Sequence, residues 1–342
     1  MATQQPAVTE EAARPTRGVP QAWSRATRVL TGRPETGALV AALTVFVVFA
    51  VWADNFLTRQ SLASTLTLTA ELAIVAMAVT LLMIAGEFDL SVGSVLGMSS
   101  ILVPWLMVNY DLPAVLAVLV GLAAALTIGF VNGLVVIASR IPSFIVTLGG
   151  LLFWRGVVFV ITKGFPISVP REAKVFDFFS YRLEAGFNVS ALWFAGLAIV
   201  LAFVLTGTKY GNWIFSAGGN ERAARSMGVP VDRVRLSLFV LTAGAAGLAG
   251  VIQMSRFSSV DANRGEGLEL QAIAAAVIGG ARLGGGYGSV IGTALGALMI
   301  GMIRNGLILA GVAGYWFTAI VGLLIVVAVI VNQIAGRTRP QL

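Results

Sequence analysis

Ten long apolar segments, separated by shorter polar stretches, dominate the chain between residues 36 and 332. A helix of roughly 20 apolar residues crosses the hydrocarbon layer of a membrane, and only helices or closed barrels satisfy their own backbone there. Hydrophobic residues make up 57% of the sequence and charged residues 11%, far from the balance of a soluble domain. We therefore predict an all-α polytopic membrane protein with about ten transmembrane helices. The predicted spans are residues 36–53, 61–85, 90–109, 112–138, 143–162, 189–206, 236–255, 269–281, 289–310 and 315–332.

The eighth apolar segment is too short to cross the membrane as one straight helix. Glycines lie at its end, at Gly279 and Gly280, and shortly after it, at 284–286. Irregular backbone at membrane depth is tolerated only where protein or a watery cavity surrounds it. The sequence therefore predicts a short, broken helix near residues 269–288.

Basic residues are distributed unevenly between the two alternating sets of connections. With the N-terminus in the cytoplasm, fourteen of the 23 Lys and Arg residues fall in inner segments and seven in outer ones. Because basic residues favour the cytoplasmic side, both termini and the polar loop 208–235 are predicted to be cytoplasmic. This gives three regions: a disordered basic cytoplasmic tail at 1–35, a transmembrane domain at 36–333 and a cytoplasmic tail at 334–342.

Several classes of function are excluded by residues that the sequence lacks. It contains no Cys and no His, which rules out thiol or imidazole catalysis and Cys/His metal sites. It also lacks the G-x-x-x-x-G-K-[ST] nucleotide loop, and its basic residues form no nucleic-acid-binding patch. We therefore expect a chain that is not an enzyme, binds no cofactor or metal of its own and does not bind nucleic acid.

The loop 208–235 is too charged to enter hydrocarbon with the apolar segments on either side. Within it, residues 221–227 are predicted to form a short helix, with Asn220 as its N-cap and Glu221 near the positive end of its dipole. Gly228 followed by Pro230 is a usual stop signal. Two interpretations remain open: a solvated connector, or a docking element for a partner.

The segment 86–94, with sequence GEFDLSVGS, places Glu87 and Asp89 between two apolar runs. Two carboxylates at such a position could form a proton or cation site. Alternatively, the segment is an ordinary turn in which Asp89 caps the third span through backbone donors near Ser91 and Val92.

Four motifs together resemble the ABC importer permeases of the ribose, xylose and autoinducer type. One is A-x-G-x-N-x-x-A-A-x-x-x-G in the loop 208–235, and another is D-L-S-V-G-S at residues 89–94. The others are I-P-S-F-I-V-T-L-G at 141–149, followed by Arg155 and Gly156, and the A-I-A-A-A-V-I-G-G run at 272–280. The resemblance covers roughly residues 55–332, almost the whole chain beyond its N-terminal tail.

The resemblance implies a role for the loop and a set of partners. In that family the loop sits on the ATP-hydrolysing subunit, so ATP and Mg²⁺ are expected on a separate ATPase. The implied assembly is a homodimer of the permease in the bacterial inner membrane, among its lipids, with a cytoplasmic ABC ATPase and a periplasmic or lipid-anchored sugar-binding protein. The implied ATPase-coupling residues are Asn220, Glu221, Ala223, Ala224, Met227 and Gly228.

A solute that crosses such a protein must exchange its water for polar groups supplied by irregular helix segments. The candidate residues for this translocation pathway are Asp89, Ser91, Ser94, Asn132, Thr147 and Asn305.

A faint internal repeat joins the fourth span to the ninth. GFVNGL at 129–134 and GMIRNGL at 301–307 lie five spans apart, and a unit with an odd number of spans inverts on repetition. The sequence favours two inverted five-helix repeats, although NG pairs also recur by chance in Gly-rich helices.

Glu71 and Arg155 lie inside apolar spans. A charge at the membrane centre costs about 3 kcal/mol, so each is expected to face the bundle or a cavity. For Glu71, an early start of the second span would instead place it near the outer interface. Arg155 is expected near the inner half of the fifth span.

Three functions remain to be compared. The first is the permease subunit of an ABC importer for a monosaccharide or related small polyol. The second is an ion-coupled secondary transporter that uses Glu71, Glu87 or Asp89. The third, a membrane-embedded enzyme, lacks any nucleophile and base pair or metal cluster to support it.

Overall fold

The computed structural model describes residues 34–170, 174–183, 186–257 and 259–337. The expected tails lie outside the described residues at 1–33 and 338–342, whereas Pro34 and Glu35 already belong to the first helix. The helices are α1 (Pro34–Trp52), α2 (Arg59–Ile84), α3 (Val92–Tyr110), α4 (Ala114–Ser139), α5 (Ser143–Thr162), α6 (Asp177–Ser180), α7 (Ser190–Gly207), α8 (Lys209–Gly219), α9 (Glu221–Ser226), α10 (Val231–Arg256), α11 (Leu268–Ile278), α12 (Val290–Leu309) and α13 (Tyr315–Arg337). Two short strands, β1 (Ile167–Ser168) and β2 (Ser259–Val260), pair antiparallel.

The predicted all-α membrane fold is confirmed. In the described part of the chain, eight helices are long and apolar enough to cross a membrane, and α11 and α13 contribute two shorter apolar stretches. At 11 residues, α11 is only about 16 Å long, roughly half of the hydrocarbon thickness. It ends at Gly279, and the irregular segment that follows holds Gly280, Gly285 and Gly286 at positive φ. The broken helix near 269–288 is therefore present.

Helix α2 forms the centre of the bundle. Every residue from Thr69 to Ala85 is buried, and most of these side chains are small or aliphatic. The helices that pack on it are α7, α10, α11 and α12. Small side chains let neighbouring membrane helices approach closely, so the many Ala and Thr residues of this segment account for its central place.

The two halves of the bundle pack on each other reciprocally. The second span of each half, α2 or α10, makes its most extensive contacts with the fourth span of the other half, α12 or α4. The third spans repeat this pattern, because α3 packs on α10 and α11 packs on α2. Such reciprocal pairing is expected of two inverted five-helix repeats.

Small residues allow the closest of these helix contacts. Gly129 of α4 lies against the Phe239 carbonyl of α10, and Gly301 of α12 lies against Thr69 of α2. These are the first glycines of the two similar segments found in the sequence. Packing between membrane helices depends on such small side chains because lipid tails are as apolar as Leu.

The contact between α11 and α12 provides a stability test. A Cβ atom at Gly296 would overlap the backbone carbonyl of Ala275, which cannot move aside as a flexible side chain can. We expect Gly296→Val to destabilise the protein by about 1–3 kcal/mol or more. Gly196→Val is the matched control, because nothing lies within 4 Å of the Cβ position at that glycine. The measurement is the thermal unfolding midpoint in detergent; equal midpoints for the two variants would contradict this packing.

The polar loop 208–235 differs from the prediction of one short helix. It contains two helices, α8 and α9, and its last five residues are already the first turn of α10. The end of the bundle that carries these helices, here called the α8–α9 end, also holds the turn at 85–91 and the segment at 284–288. The described parts of the connections at 163–189 and 257–267 lie at the opposite end.

Candidate functional site

The α8–α9 element owes its shape to two side-chain caps. The Thr208 hydroxyl accepts a hydrogen bond from the Gly211 amide (3.2 Å) and begins α8. Asn220 adopts an extended conformation between the helices, and its side-chain oxygen accepts from the Ala223 amide (3.0 Å). This is the N-cap that the sequence predicts, and it turns the chain sharply at the start of α9.

The C-terminal end of α9 also follows local sequence rules. Gly228 has φ of +80°, in the left-handed region that glycine adopts at little cost. The Val229 amide donates to the Ala224 carbonyl (3.0 Å), as in a Schellman cap. The helix therefore ends where the Gly228 and Pro230 signal places its stop.

The predicted coupling residues fall on two different faces of α9. Ala224 is buried and packs with Ala217 and Val231 inside this chain. Ala223 and Met227 are exposed, with Met227 84% accessible. Of the apolar set, only Ala223 and Met227 are therefore free to contact another protein; Ala224 holds α9 onto α8 and α10.

Arg235 links α9 to the turn at 85–91. Its guanidinium forms one ion pair with Glu221 of α9 (2.9 Å) and a second with Glu87 of the turn (3.0 Å). Arg235 and Glu87 are both mostly buried, with side chains 16% and 12% exposed. On the outer side of α9, Arg225 pairs with Glu221 and with Asp232.

These charges keep Glu221 ionised. Burial opposes the negative charge, but hydrogen bonds from Arg225 and Arg235 outweigh it and hold the pKa of Glu221 below its ordinary value. Both arginines also restrict the position of α9 on the end of the bundle.

Backbone contacts bring the same segments together. A Cβ atom at Gly218 of α8 would overlap the Ile84 carbonyl at the end of α2. The Gly286 amide donates to that same carbonyl (2.8 Å). The ends of α2 and α8 and the glycine-rich segment after α11 are therefore in direct contact, which only residues without side chains permit.

Five of the six pathway candidates lie in or near one buried cluster around the turn. The Asp89 carboxylate accepts from the Ser91 amide (2.9 Å), the Ser91 hydroxyl (2.6 Å) and the Thr242 hydroxyl of α10 (3.1 Å). The Asn132 amide of α4 donates to the Ser91 hydroxyl (2.8 Å).

The other two candidates in this cluster are Ser94 and Thr147, and both form hydrogen bonds with the backbone of residues 90–91. The Leu90 amide donates to Thr147 of α5 (3.1 Å), and the Ser94 hydroxyl donates to the Ser91 carbonyl (2.8 Å). Helix α3 begins at Val92 with Ser91 at its N-cap position, so Asp89 braces the turn before the helix and does not itself occupy the cap.

The sixth candidate lies far from this group. Asn305 of α12 donates to Ser61 (2.9 Å) and Thr65 (2.9 Å) of α2, towards the opposite end. All six side chains are buried, at most 7% exposed. The structure therefore divides them between two sets of helix contacts, and they do not form one continuous lining.

The two intramembrane charges each have partners. Glu71 lies midway along α2, buried, and pairs with Arg256 of α10 (3.0 Å), as expected for a group that faces the bundle. Arg155 donates to the Ala262 (2.9 Å) and Arg264 (2.8 Å) carbonyls. Because α5 starts at the α8–α9 end and reaches Arg155 only past its midpoint, the expected place near the inner half does not agree with a cytoplasmic α8–α9 end.

Sequence reasoning missed three residues that organise the site. Arg235 is the last residue of the predicted loop, and nothing in the sequence indicates that it pairs with Glu87 and Glu221. Thr242 is 153 positions from Asp89, so no local pattern connects the two residues. For Gly218, the sequence offers one indication of a close backbone contact, which is the pair of adjacent glycines at the end of α8.

Comparison with known proteins identifies relatives along nearly the whole chain. The family model for "Branched-chain amino acid transport system / permease component" matches residues 61–329. The ribose import permease protein RbsC of Escherichia coli (strain K12) is 35% identical over 302 residues, 87% of this chain and 94% of the relative. RbsC of Bacillus subtilis (strain 168) is 32% identical over 297 residues, which cover 87% of this chain and 92% of the relative.

A relative named for a different substrate is about as similar. The autoinducer 2 import system permease protein LsrC of Salmonella typhi is 33% identical over 314 residues, 89% of this chain and 86% of the relative. The match to the family model spans the helices from α2 to α13, including the turn at 85–91 and the α8–α9 element. The chain therefore belongs to this family of transport-system permease components.

Proposed function

We propose that the chain is the membrane-spanning permease of an ATP-driven importer, and that it carries a monosaccharide or a related small polyol. The observation that carries this is the α8–α9 element, a helix held by ion pairs to the turn at 85–91 at the end of the bundle. An autonomous carrier has no need of such an element. The substrate class is supported by the ribose and autoinducer 2 permeases among the relatives.

The energy source in this proposal lies on another subunit. A separate cytoplasmic ABC ATPase binds ATP and Mg²⁺ and seats α9, and a periplasmic or lipid-anchored binding protein delivers the solute. Asn220 and Gly228 set the ends of α9, Glu221 and Ala224 fix it to this chain, and Ala223 and Met227 contact the ATPase. The permease acts as a homodimer, and its exposed apolar side chains on α4 and α5 face lipid or the second copy.

The alternative of ion-coupled transport gains no support from the turn at 85–91. The Asp89 carboxylate is occupied by Ser91 and Thr242, and Glu87 is paired with Arg235. We propose instead that Asp89, Ser91, Ser94, Asn132 and Thr147 fix the shape of the pathway near the turn. Asn305 does the same where α12 meets α2.

The direct test is reconstitution. The chain is co-expressed with an ABC ATPase and a sugar-binding protein encoded beside it, and the purified complex is placed in liposomes. We expect uptake of at least one of D-ribose, D-xylose, D-galactose and myo-inositol that requires ATP and the binding protein. Uptake by the chain alone under a proton or sodium gradient would contradict the proposal.

The orientation of the protein in the bacterial inner membrane gives a separate prediction. We place the α8–α9 end and both termini in the cytoplasm, because the majority of basic residues then lie inside. The absence of native Cys allows single cysteines to report on this. In intact cells, an impermeant thiol reagent should label Asn109→Cys at the opposite end and leave Ser226→Cys unlabelled. The reverse pattern would contradict the assigned orientation.

A further inference from the structure

The first turns of α2 carry an exposed polar face at the start of a membrane span. Gln60 and Ser64 are exposed, although α2 is otherwise the most buried of the spans. Ser64 falls within the predicted span 61–85, and hydrocarbon cannot satisfy the hydrogen-bonding groups of its side chain, so this face requires water or protein against it. Leu62, about 200° around the helix from Ser64, is apolar and exposed, as a lipid-facing position should be.

A cavity of about 890 Å³ lies against this polar face, at the opposite end from α8 and α9. It extends along α2 from Arg59 to Leu68, a depth of about 14 Å at 1.5 Å per residue. The other wall is formed by the connection before α7, with Asp177, Tyr181 and Arg182 among its residues.

An ion pair lies at the floor of the cavity. Arg256 lines the cavity, and its guanidinium pairs with Glu71 one turn below Leu68 (3.0 Å). Glu71 also lines a second, small cavity of about 30 Å³, together with Gln253 and Arg304 among others. A polar space of that size can hold a water molecule, so the polar environment continues towards the middle of the bundle.

We propose that the larger cavity binds the solute, a neutral polyhydroxylated molecule of monosaccharide size, above a floor closed by Glu71 and Arg256. This inference rests on the proposed function and adds the place where the solute first meets the permease. The cavity falls within the range of about 300–1,000 Å³ that is usual for small-molecule sites.

The chemistry of the lining favours a neutral polyol. Gln60 and Ser64 supply donors and acceptors, Arg59 donates, and Asp177 accepts. The charged residues of the lining are Arg59, Arg182 and Arg256 with Asp177, and Glu71 already pairs with Arg256, which leaves a single excess positive charge. Vicinal hydroxyl groups, each donor and acceptor, match this mixture better than an anion or an apolar molecule.

The test uses single cysteines in the purified permease complex in nanodiscs. A charged, lipid-insoluble methanethiosulfonate should modify Ser64→Cys rapidly and the matched control Leu62→Cys slowly, because only the former faces water. At least one of D-ribose, D-xylose, D-galactose and myo-inositol should slow modification of Cys at position 64 about tenfold when present at ten times its Kd. Ribose 5-phosphate should give no such protection.

Three results would overturn the proposal. An unreactive cysteine at position 64 would mean that lipid or a second copy covers this face. Reactivity without protection by any of the four sugars would mean a watery cleft that binds no polyol. Protection by ribose 5-phosphate alone would mean an anion site.

A transport assay separates failure of this site from failure of the proposed function. Ser64→Phe, which fills the cavity, should lower ATP-driven uptake at least about tenfold, whereas Leu62→Phe, the same substitution at the lipid-facing position, should retain it. If the unmodified complex imports sugar and Ser64→Phe does so equally well, the site is wrong and the function stands. If the unmodified complex imports none of the four sugars, the proposed function itself fails.

Discussion

Arg235→Ala is expected to uncouple ATP hydrolysis from uptake while the complex still assembles. The substitution removes both ion pairs through which α9 is connected to Glu87 and the turn at 85–91. It also leaves Glu87, 12% exposed, without its cation, and breaking such a buried pair costs about 3–5 kcal/mol. Coupling between sites is typically worth about 1–3 kcal/mol, so we expect uptake to fall about tenfold or more at nearly unchanged ATPase activity.

The matched control for this prediction is Arg233→Ala. Arg233 is on the same turn of α10, is exposed, and forms no salt bridge within the described residues. Glu87→Gln should reproduce much of the Arg235→Ala effect. Glu221→Gln should have a smaller one, since that carboxylate is 40% exposed and water screens its interactions. Normal uptake by Arg235→Ala would show that movement reaches the spans by another route.

The parts of the fold that could be predicted are those set by local composition. The ten apolar helices follow from segment length and the scarcity of charge, and the short α11 follows from the glycines after it. The ends of α9 were also predictable. An Asn cap and a left-handed glycine act within a few residues, so their signals are contained in the sequence around them.

The parts that could not be predicted depend on contacts between distant segments. Ala223 and Ala224 are adjacent and chemically identical, yet one is exposed and the other packs on Ala217 and Val231. Only the position of α8, itself missed as a helix, decides which of the two is buried. No pattern in the loop indicates it.

Asp89 illustrates a second reason why part of the site could not be predicted from the sequence. A carboxylate beside two apolar spans is equally compatible with ion coupling and with a braced turn, because the sequence does not show what lies opposite it. The structure supplies Thr242 from α10, and with Ser91 it completes the hydrogen bonding of the carboxylate. A residue that appeared to be a binding group is thus accounted for by the architecture of the turn.

Ala223→Arg is expected to abolish assembly with the ATPase while the permease itself still folds. Ala223 is exposed on α9, beside the 84% accessible Met227, and contacts nothing that a longer side chain would disturb in this chain. In a groove of a partner, an Arg at this position would overpack the contact and bury a charge. We expect recovery of the complex and sugar uptake to fall at least about tenfold, equivalent to about 1.4 kcal/mol of binding.

A backbone variant tests the same surface independently. Gly228 has φ of +80°, and a β-branched residue resists that conformation, so Gly228→Val should displace the end of α9 and weaken docking. Gly228→Asn should be milder because Asn tolerates left-handed backbone better than other residues with side chains.

The control for the charge substitution is Ala313→Arg, the same change at an exposed position in the loop at the opposite end of the bundle. Each variant is co-expressed with the ATPase and the binding protein, and complex recovery, ATPase stimulation and uptake are measured alongside the unfolding midpoint of the isolated permease. If Ala223→Arg lowers that midpoint, the residue is packed within this chain and the docking face is misassigned. If its midpoint and its uptake both equal those of Ala313→Arg, α9 is a solvated connector. Only the relatives would then support an ATP-driven permease, because no other feature of the α8–α9 end, among the described residues, distinguishes the protein from a gradient-driven carrier.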